Sequence, residues 1–382
     1  MSQTHLDKIS TLNLGSFYTP DFVINLVYEM LLKALPHANL NDFVLLDSSC
    51  GYGDFLRDDF LQSSQMQSEK SVNFKAKIGV DIDEKAILMA QKNFANSANA
   101  PRFLRKNSLI NVSRKNFGIK DSDKLVIIGN PPYNDKTSIV QKSLKNNEFI
   151  VDKELKKRDL GMSFLLSFNA LKADFICVLH PLSYLIKESN FKALGAFFAN
   201  YTLKNSLVIS SQIFCPNSLG FFPIIIAFYE RDKKGIDYEF IKNYTFKTIE
   251  NRTFRLNDYE FIGAFIDKYP NKKRVLSAQK IAMFYTLRDI NALRRSKTFI
   301  EKDCANAVYV GREKYSLYCY VDVFKRILPS VPYYFGNCDV IIDFARFKRL
   351  ENEFVRASQN RHLSSEILDY FKDLLREHYA NF

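Results

Sequence analysis

The chain has 382 residues, which is enough for about two or three domains with cores of their own. A hydrophobic fraction of 47% with 25% charged residues excludes a wholly disordered or fibrous chain. The net charge of +12 favours a polyanionic ligand, with nucleic acid as the first expectation. The six cysteines form no C-x-x-C pair, so we expect neither a zinc ribbon nor a disulfide framework, and no bound metal.

Neither a signal peptide nor a membrane span is predicted. The first 16 residues contain no apolar segment behind basic residues. The longest uncharged stretch, residues 205–229, is interrupted by polar residues and two prolines. We therefore expect a cytoplasmic protein.

The positive charge is concentrated in the last two fifths of the chain. Residues 231–382 contain 28 Lys or Arg and 20 Asp or Glu, which supplies two thirds of the net charge. The densest basic window, residues 271–297, is a candidate surface for contacting DNA phosphates. The candidate DNA-binding residues in it are Lys272, Lys273, Arg274, Arg288, Arg294, Arg295 and Lys297.

The first predicted element is a helix that follows Thr19 and Pro20. Pro suits the first helical position and Thr19 the N-cap, and apolar residues recur from Phe22 to Leu31 at helical spacing.

Alternation of short apolar runs with helix-compatible sequence predicts an α/β fold with a mostly parallel sheet. The apolar runs are residues 43–46, 76–80, 101–104, 124–128 and 174–179, and residues 84–94 are an example of the intervening helices. Two further runs, 206–213 and 221–230, predict an antiparallel hairpin at the sheet edge. We expect a first domain over residues 1–232 and a second over residues 233–382.

Two segments after predicted strands have features of a nucleotide site. Residues 47–56 (DSSCGYGDFL) place glycines at a strand-to-helix turn, where the backbone can approach a ligand closely. Asp81 ends the next strand, where a carboxylate can accept bonds from ribose hydroxyls. The third glycine of the dinucleotide motif is missing, which favours an adenosine cofactor without a pyrophosphate.

The most informative segment is Asn130-Pro131-Pro132-Tyr133 at the end of the fourth strand. An adenine amino group is a poor nucleophile because its lone pair is delocalised into the ring. The Asn130 side-chain oxygen and the Pro131 carbonyl could each accept one amino hydrogen and localise that lone pair. Proline rigidity would hold the acceptors, and Tyr133 offers a flat face for the base.

Five motifs resemble those of the N6-adenine DNA methyltransferases of bacterial restriction-modification systems, in the gamma order of motifs. They are residues 15–20 (GSFYTP), 47–55 (DSSCGYGDF), 79–83 (GVDID), 130–133 (NPPY) and 220–224 (GFFPI). The resemblance implies a Rossmann-like, mostly parallel seven-stranded sheet that binds S-adenosylmethionine, followed by a mixed α+β target-recognition domain. It also implies that double-stranded DNA is the partner, that the target adenine is flipped out, and that a separately encoded restriction endonuclease acts on the same sequence.

The resemblance also assigns roles to individual residues. Thr19 and the start of the helix behind it would hold the methionine end of the cofactor, and Asp47, Gly51 and Gly53 would lie under it. Asp81 would bind the ribose. The other residues expected to bind the cofactor are Phe17, Tyr18, Ile82 and Asn130. Asn107 stands where the family usually has an Asp that contacts the cofactor adenine. Phe221 would hold the flipped base against Tyr133.

Two other functions remain open on the sequence. One is a protein-glutamine or RNA N-methyltransferase. Such an enzyme must also methylate an unreactive nitrogen, and it shares the NPPY tetrapeptide. A catalytically inactive DNA-binding protein on the same fold is the other alternative. The roughly 150-residue basic C-terminal region favours DNA as the substrate, and the intact tetrapeptide with both glycines favours an active enzyme.

Overall fold

The structure is a computed structural model that describes residues 18–35, 40–60, 73–133, 150–214 and 222–379. The chain divides into two compact units. The first extends to Ile241 and the second begins at Lys242, and the segment from Ser210 to Pro223 is divided between them.

The first unit is built on a sheet of seven strands. They are β1 (Phe43–Asp47), β2 (Ala76–Asp81), β3 (Arg102–Arg105), β4 (Lys124–Gly129), β5 (Phe175–Pro181), β6 (Tyr201–Ser210) and β7 (Pro223–Arg231). Their order is β3-β2-β1-β4-β5-β7-β6. Strands β1 to β5 run parallel and β7 runs antiparallel to β5. The predicted mostly parallel sheet with an antiparallel edge is confirmed.

The strand order identifies the edge of this sheet at which a ligand is expected to bind. The chain proceeds from β1 outward to β3 and then returns to the other side of β1 with β4. In open α/β sheets the crevice at such a reversal, beyond the carboxyl ends of the strands, is where ligands bind. Asp47 ends β1 and Gly129 ends β4, so the two predicted motifs meet at this position.

Helices cover the sheet, which explains why β1 and most of β4 and β5 are apolar on both faces. The helices of this unit are α1 (Asp21–Ala34), α2 (Glu84–Asn93), α3 (Leu160–Ala170), α4 (Ser183–Ile186), α5 (Glu188–Ala193) and α6 (Gly195–Phe198). Helix α7 (Tyr238–Asn243) spans the boundary between the units in sequence. Asp83 and Asp159 cap α2 and α3 by accepting the backbone N–H groups of Lys85 and Gly161.

Helix α1 begins one residue later than the sequence predicts. Its first residue is Asp21, and Pro20 occupies the N-cap position, where it offers no side-chain acceptor. The prediction that Thr19 is the N-cap was therefore wrong. The buried face, which includes Val23, Val27 and Leu31, matches the predicted stripe.

The second unit contains short strands and helices around an aromatic core. The strands are β8 (Phe246–Lys247), β9 (Thr253–Phe254), β10 (Glu260–Phe261), β11 (Ala282–Tyr285), β12 (Ala307–Val310) and β13 (Ile341–Ile342), paired in antiparallel couples. The helices are α8 (Ile290–Arg295), α9 (Tyr315–Phe324), α10 (Phe344–Arg349), α11 (Glu351–Asn360) and α12 (Ser365–Leu375). Tyr320 of α9 contacts Phe347, Phe354 and Tyr370 from α10, α11 and α12. Aromatic packing of this kind unites elements too short to be stable alone.

Within the described ranges, every helix is too short or too polar to cross a lipid bilayer.

Candidate active site

A pocket opens at the carboxyl ends of β1, β2 and β4, within the first unit. Its walls come from the chain before α1, the loops after β1 to β4, and one face of α3. The sequence-predicted residues Tyr18, Thr19, Asp47, Gly51, Asp81, Ile82, Asn107, Asn130 and Pro132 all line it. Residues that are more than 100 positions apart in sequence therefore share one site.

The glycine loop after β1 is tied to the end of β2. The Gly51 N–H donates to Asp81 Oδ2 at 2.9 Å, and the Asp83 N–H donates to Asp81 Oδ1 at 2.9 Å. Gly53 has a φ of +86°, and a Cβ there would lie 2.9 Å from the Phe94 ring, so only glycine suits this turn. Asp81, predicted as a ribose ligand, thus also holds two loops in place.

Asp47 is a buried carboxyl group at the bottom of the pocket, with 1% of its surface exposed. Its Oδ1 accepts the Ser49 N–H at 3.1 Å. Burial raises the pKa of Asp47 to about 8, and the nearby Asp81 and Asp54 carboxylates add to the rise. Burial also raises the pKa of Asp54, which lines the same pocket.

Ile82 and Asn107 border the part of the pocket beyond Asp81. The Ile82 side chain is 51% exposed, so it offers an apolar face to a planar ring. The Asn107 Oδ1 accepts the Leu109 N–H at 2.9 Å, and its Nδ2 donates to the Ile150 carbonyl at 2.8 Å. The side chain of Asn107 is thereby fixed, and one lone pair of its oxygen is in use.

The NPPY segment begins at a backbone position that requires glycine. Gly129 has a φ of +139°, and a Cβ there would lie 2.7 Å from Asp47 Oδ1. Asn130 follows it, and its Nδ2 donates to Thr19 Oγ1 at 3.1 Å. Its Oδ1 is buried and has no hydrogen-bond partner within the described part of the chain.

The rest of the tetrapeptide packs against α3. Pro132 lines the pocket, whereas Pro131 and Tyr133 are buried, Tyr133 with 9% of its surface exposed. A Cβ on Gly161 would lie 3.1 Å from the Cβ of Tyr133, so this glycine lets the helix approach. Gly53 lies on the same loop as Gly51 but does not line the pocket. Phe17 and Phe221 lie outside the described residues.

Sequence reasoning missed several residues of the pocket. Asp54 follows the glycine loop directly and could have been included for that reason. Leu160 and Phe164 of α3 also line the pocket, but they belong to no motif. Ser108 was missed as well; its hydroxyl donates to the Ser48 carbonyl at 2.6 Å and joins the loops after β3 and β1.

The seven candidate DNA-binding residues differ in their surroundings within the second unit. Lys272 donates to Asp303 at 2.5 Å, and Arg274 pairs with Asp267 at 3.1 Å. Arg294 is half-buried and donates to the Leu328 carbonyl at 3.2 Å. The exposed members, listed together, are Lys272, Lys273, Arg274, Arg288, Arg295 and Lys297.

The described residues contain no group of His, Cys, Asp and Glu side chains arranged to hold a metal ion.

Solved structures with a similar fold include three methyltransferase or restriction proteins. A candidate class I S-adenosylmethionine-dependent methyltransferase from Listeria monocytogenes is 17% identical, with 60% of this chain and 65% of that chain covered and a TM-score of 0.43. The DrdV–DNA complex is 15% identical, with 66% and 29% covered and a TM-score of 0.43. The type IIG restriction endonuclease BpuSI is 15% identical, with 58% and 26% covered and a TM-score of 0.41. The chain thus spans under a third of the length of the last two.

No curated protein matches the chain in sequence. The family model of the N-6 DNA methylases matches residues 5–275, which is more than half of the chain and includes all of the pocket residues. The chain therefore belongs to the N-6 DNA methylase family.

Proposed function

We propose that this protein is a site-specific DNA methyltransferase that transfers a methyl group from S-adenosylmethionine to the N6 nitrogen of adenine. The observation that carries the proposal is the Asn130 side-chain oxygen, a buried acceptor without a partner among the described residues, on the segment that follows β4. A buried acceptor of this kind carries a desolvation cost that a donor from a substrate would relieve.

The pocket suits a ligand with positive charge. Four acidic residues, Asp47, Asp54, Asp81 and Asp83, and one basic residue, Lys106, line it. Asp47, with its pKa of about 8, is largely protonated at neutral pH, and the other three acidic residues still outnumber the single lysine. S-adenosylmethionine has a sulfonium and an ammonium group, and when bound it supplies an electrophilic methyl group.

Different parts of the pocket wall would hold different parts of this cofactor. Tyr18, Thr19, Asp47 and the loop of Gly51 would hold the methionine end. The remaining lone pairs of Asp81 would accept the ribose hydroxyls, since its two bonds to backbone N–H groups fix the carboxylate. Ile82 and Asn107 would contact the adenine ring.

The substrate would be the amino group of an adenine. Asn130 Oδ1 and the Pro131 carbonyl would each accept one of its hydrogens, which localises the nitrogen lone pair and aims it at the methyl group. The base must leave the duplex to reach this position. Tyr133 and Phe221 would stack on its faces, and the largely buried Tyr133 must turn outward to do so.

The second unit would recognise the DNA. Lys273, Arg288, Arg295 and Lys297 are the exposed members of the basic window for which no ion pair is found in the described segments, so they are the first choice for phosphate contacts. We further propose that the enzyme acts in the bacterial cytoplasm, where it protects DNA from a separately encoded restriction endonuclease.

A panel of substrates tests the proposal. The protein is incubated with radiolabelled S-adenosylmethionine and, in separate reactions, unmethylated double-stranded DNA, ribosomal RNA or a peptide containing glutamine. We expect label in DNA alone. Label in RNA or peptide but not in DNA would assign the other substrate class, and absence of both transfer and cofactor binding would indicate an inactive fold.

A further inference from the structure

The Thr19 hydroxyl group meets the side-chain amide of Asn130 inside the first unit. Thr19 is 5% exposed and directly precedes Pro20, the residue at the N-cap position of α1. Its Oγ1 accepts a hydrogen of Asn130 Nδ2 at 3.1 Å, although the two residues are 111 positions apart in sequence. The side chain is therefore directed at the NPPY segment and not at the helix end.

The orientation of the Asn130 amide decides what the pocket offers. An Asn amide has an acceptor oxygen and a donor nitrogen of nearly the same shape, so a 180° rotation exchanges one for the other. As oriented here, the nitrogen contacts Thr19 and the oxygen is left without a partner among the described residues. A rotated amide would present two N–H donors to an amino group that is itself a donor, and catalysis would be lost.

The backbone of Asn130 is constrained on both sides, so the residue can change mainly by rotation of its side chain. Gly129 fixes the backbone on one side with its φ of +139°. Pro131 restricts the residue that precedes it to extended backbone on the other side. The remaining freedom lies in the side-chain torsions, and the bond to Thr19 constrains them.

We infer that Thr19 is a positioning residue, which accepts a hydrogen from Asn130 Nδ2 and so keeps Asn130 Oδ1 directed at the substrate amino group. This inference rests on the proposed function. In the proposed site the Thr19 hydroxyl hydrogen would be donated to the methionine end of the cofactor, so only its lone pairs are left for Asn130. The rotated amide, which would need a donor from Thr19, is then disfavoured.

Two substitutions separate positioning from packing. Thr19→Val retains the shape of the side chain and removes the acceptor, whereas Thr19→Ser retains the acceptor. At saturating cofactor and substrate we expect kcat to fall about tenfold in Thr19→Val, the loss typical of one hydrogen bond, and to stay close to the wild-type value in Thr19→Ser. The Kd of S-adenosylmethionine, measured by calorimetry, should rise as well, because valine also lacks the proposed contact with the methionine end. The fall in kcat at saturating cofactor is therefore the readout of positioning.

A wild-type kcat in Thr19→Val would overturn the inference. If the Kd of S-adenosylmethionine were weaker at the same time, the hydroxyl would act in cofactor binding alone. Thr19→Ala, which also lacks the acceptor, replaces Thr19→Val if thermal unfolding shows that the valine variant is not folded.

A spectroscopic readout keeps the inference independent of the substrate. The side-chain amide hydrogens of Asn130 are observed in protein labelled with 15N-asparagine and are assigned by their loss in Asn130→Ala. We expect slow hydrogen exchange at Asn130 Nδ2 in the wild type and in Thr19→Ser, and fast exchange in Thr19→Val. Equal exchange in the wild type, Thr19→Ser and Thr19→Val would refute the hydrogen bond between Thr19 and Asn130. If the exchange pattern is as expected but the protein is inactive on DNA, only the proposed function is refuted.

Discussion

Asn130 combines two properties that rarely occur together, a fixed amide and an acceptor left without a partner in the described chain. Buried polar atoms are normally hydrogen-bonded, so such an atom at the edge of a pocket is available to a donor from a ligand. In the proposed reaction this atom would accept a hydrogen of the substrate amino group.

Replacing Asn130 by Ala should therefore abolish turnover and leave binding intact. We expect kcat to fall by at least about 100-fold, as for other preorganised groups that act on the transition state. Cofactor affinity and DNA affinity should stay at the wild-type level in calorimetry and gel-shift measurements. Asn96→Ala, on an exposed turn, is the control and should retain full activity. Wild-type turnover in Asn130→Ala would exclude the proposed role.

Asp47 should make the stability of the protein depend on pH. Its pKa is about 8 in the folded protein and about 4 in an unfolded chain, so the folded state holds a proton that the unfolded state has lost between these values. Stability is thus lost as pH rises from about 4 to about 8. Asp47→Asn removes this loss, and we expect its Tm to exceed the wild-type Tm by several degrees more at pH 9 than at pH 5.

The exposed Asp121 provides a control for this measurement. The difference in Tm between Asp121→Asn and the wild type should stay nearly constant over the same pH range. A constant difference for Asp47→Asn as well would mean that Asp47 is ionised throughout.

At the scale of elements, a buried ion pair connects β2 to the loop that follows β1. Lys77 Nζ, on a side chain that is 5% exposed, donates to Asp58 Oδ1 at 2.6 Å and to the Leu56 carbonyl at 2.9 Å. The segment it holds continues from the glycine loop that forms part of the pocket. Lys77 therefore supports the wall of the pocket without lining it.

Lys77→Met should destabilise the first unit and weaken cofactor binding. The substitution leaves a carboxylate and a carbonyl partly buried without their donor, so we expect a loss of about 2 kcal/mol or more in the free energy of unfolding, measured with urea. Lys192→Met is the control, because Lys192 pairs with Glu188 at 2.7 Å and both side chains are exposed. Its effect should stay within about 0.5 kcal/mol. Equal effects of the two substitutions would show that the buried Lys77 pair stabilises the protein no more than an exposed pair does.

The strands of the first unit could be predicted because their signal is local. Each of β1 to β5 coincides within a few residues with an apolar run of the sequence. The short strands of the second unit could not, because two to four residues carry no readable periodicity. The bonds from Thr19 to Asn130 and from Lys77 to Asp58 were also unpredictable, since the sequence gives no sign of which distant residues will meet.

At the scale of the whole molecule, acidic residues outnumber basic ones in the pocket of the first unit, whereas an exposed segment of the second unit is basic. A cationic cofactor and a polyanionic substrate would each be attracted to the region of opposite charge. The sequence predicted the basic segment, but burial separates its members: Arg294 is half-buried and acts within the unit, whereas Arg295 and Lys297 are exposed.

Charge reversal at Arg295 and Lys297 should weaken DNA binding and flatten its salt dependence. The slope of log Kd against log salt should fall by about 0.9 for each phosphate contact that is lost. Lys33→Glu with Lys192→Glu makes the same change of charge at exposed positions of the first unit and is the control. An unchanged slope in the Arg295 and Lys297 variant would place the DNA surface elsewhere.

The proposed function is tested by the identity of the methylated nucleoside. Unmethylated genomic DNA is treated with the protein and labelled S-adenosylmethionine, digested to nucleosides, separated and mapped by single-molecule sequencing. We expect label only in N6-methyl-2′-deoxyadenosine, at one short sequence motif, and none with Asn130→Ala. Label in any other nucleoside, or no label in DNA from a protein that binds the cofactor, would contradict the proposed function.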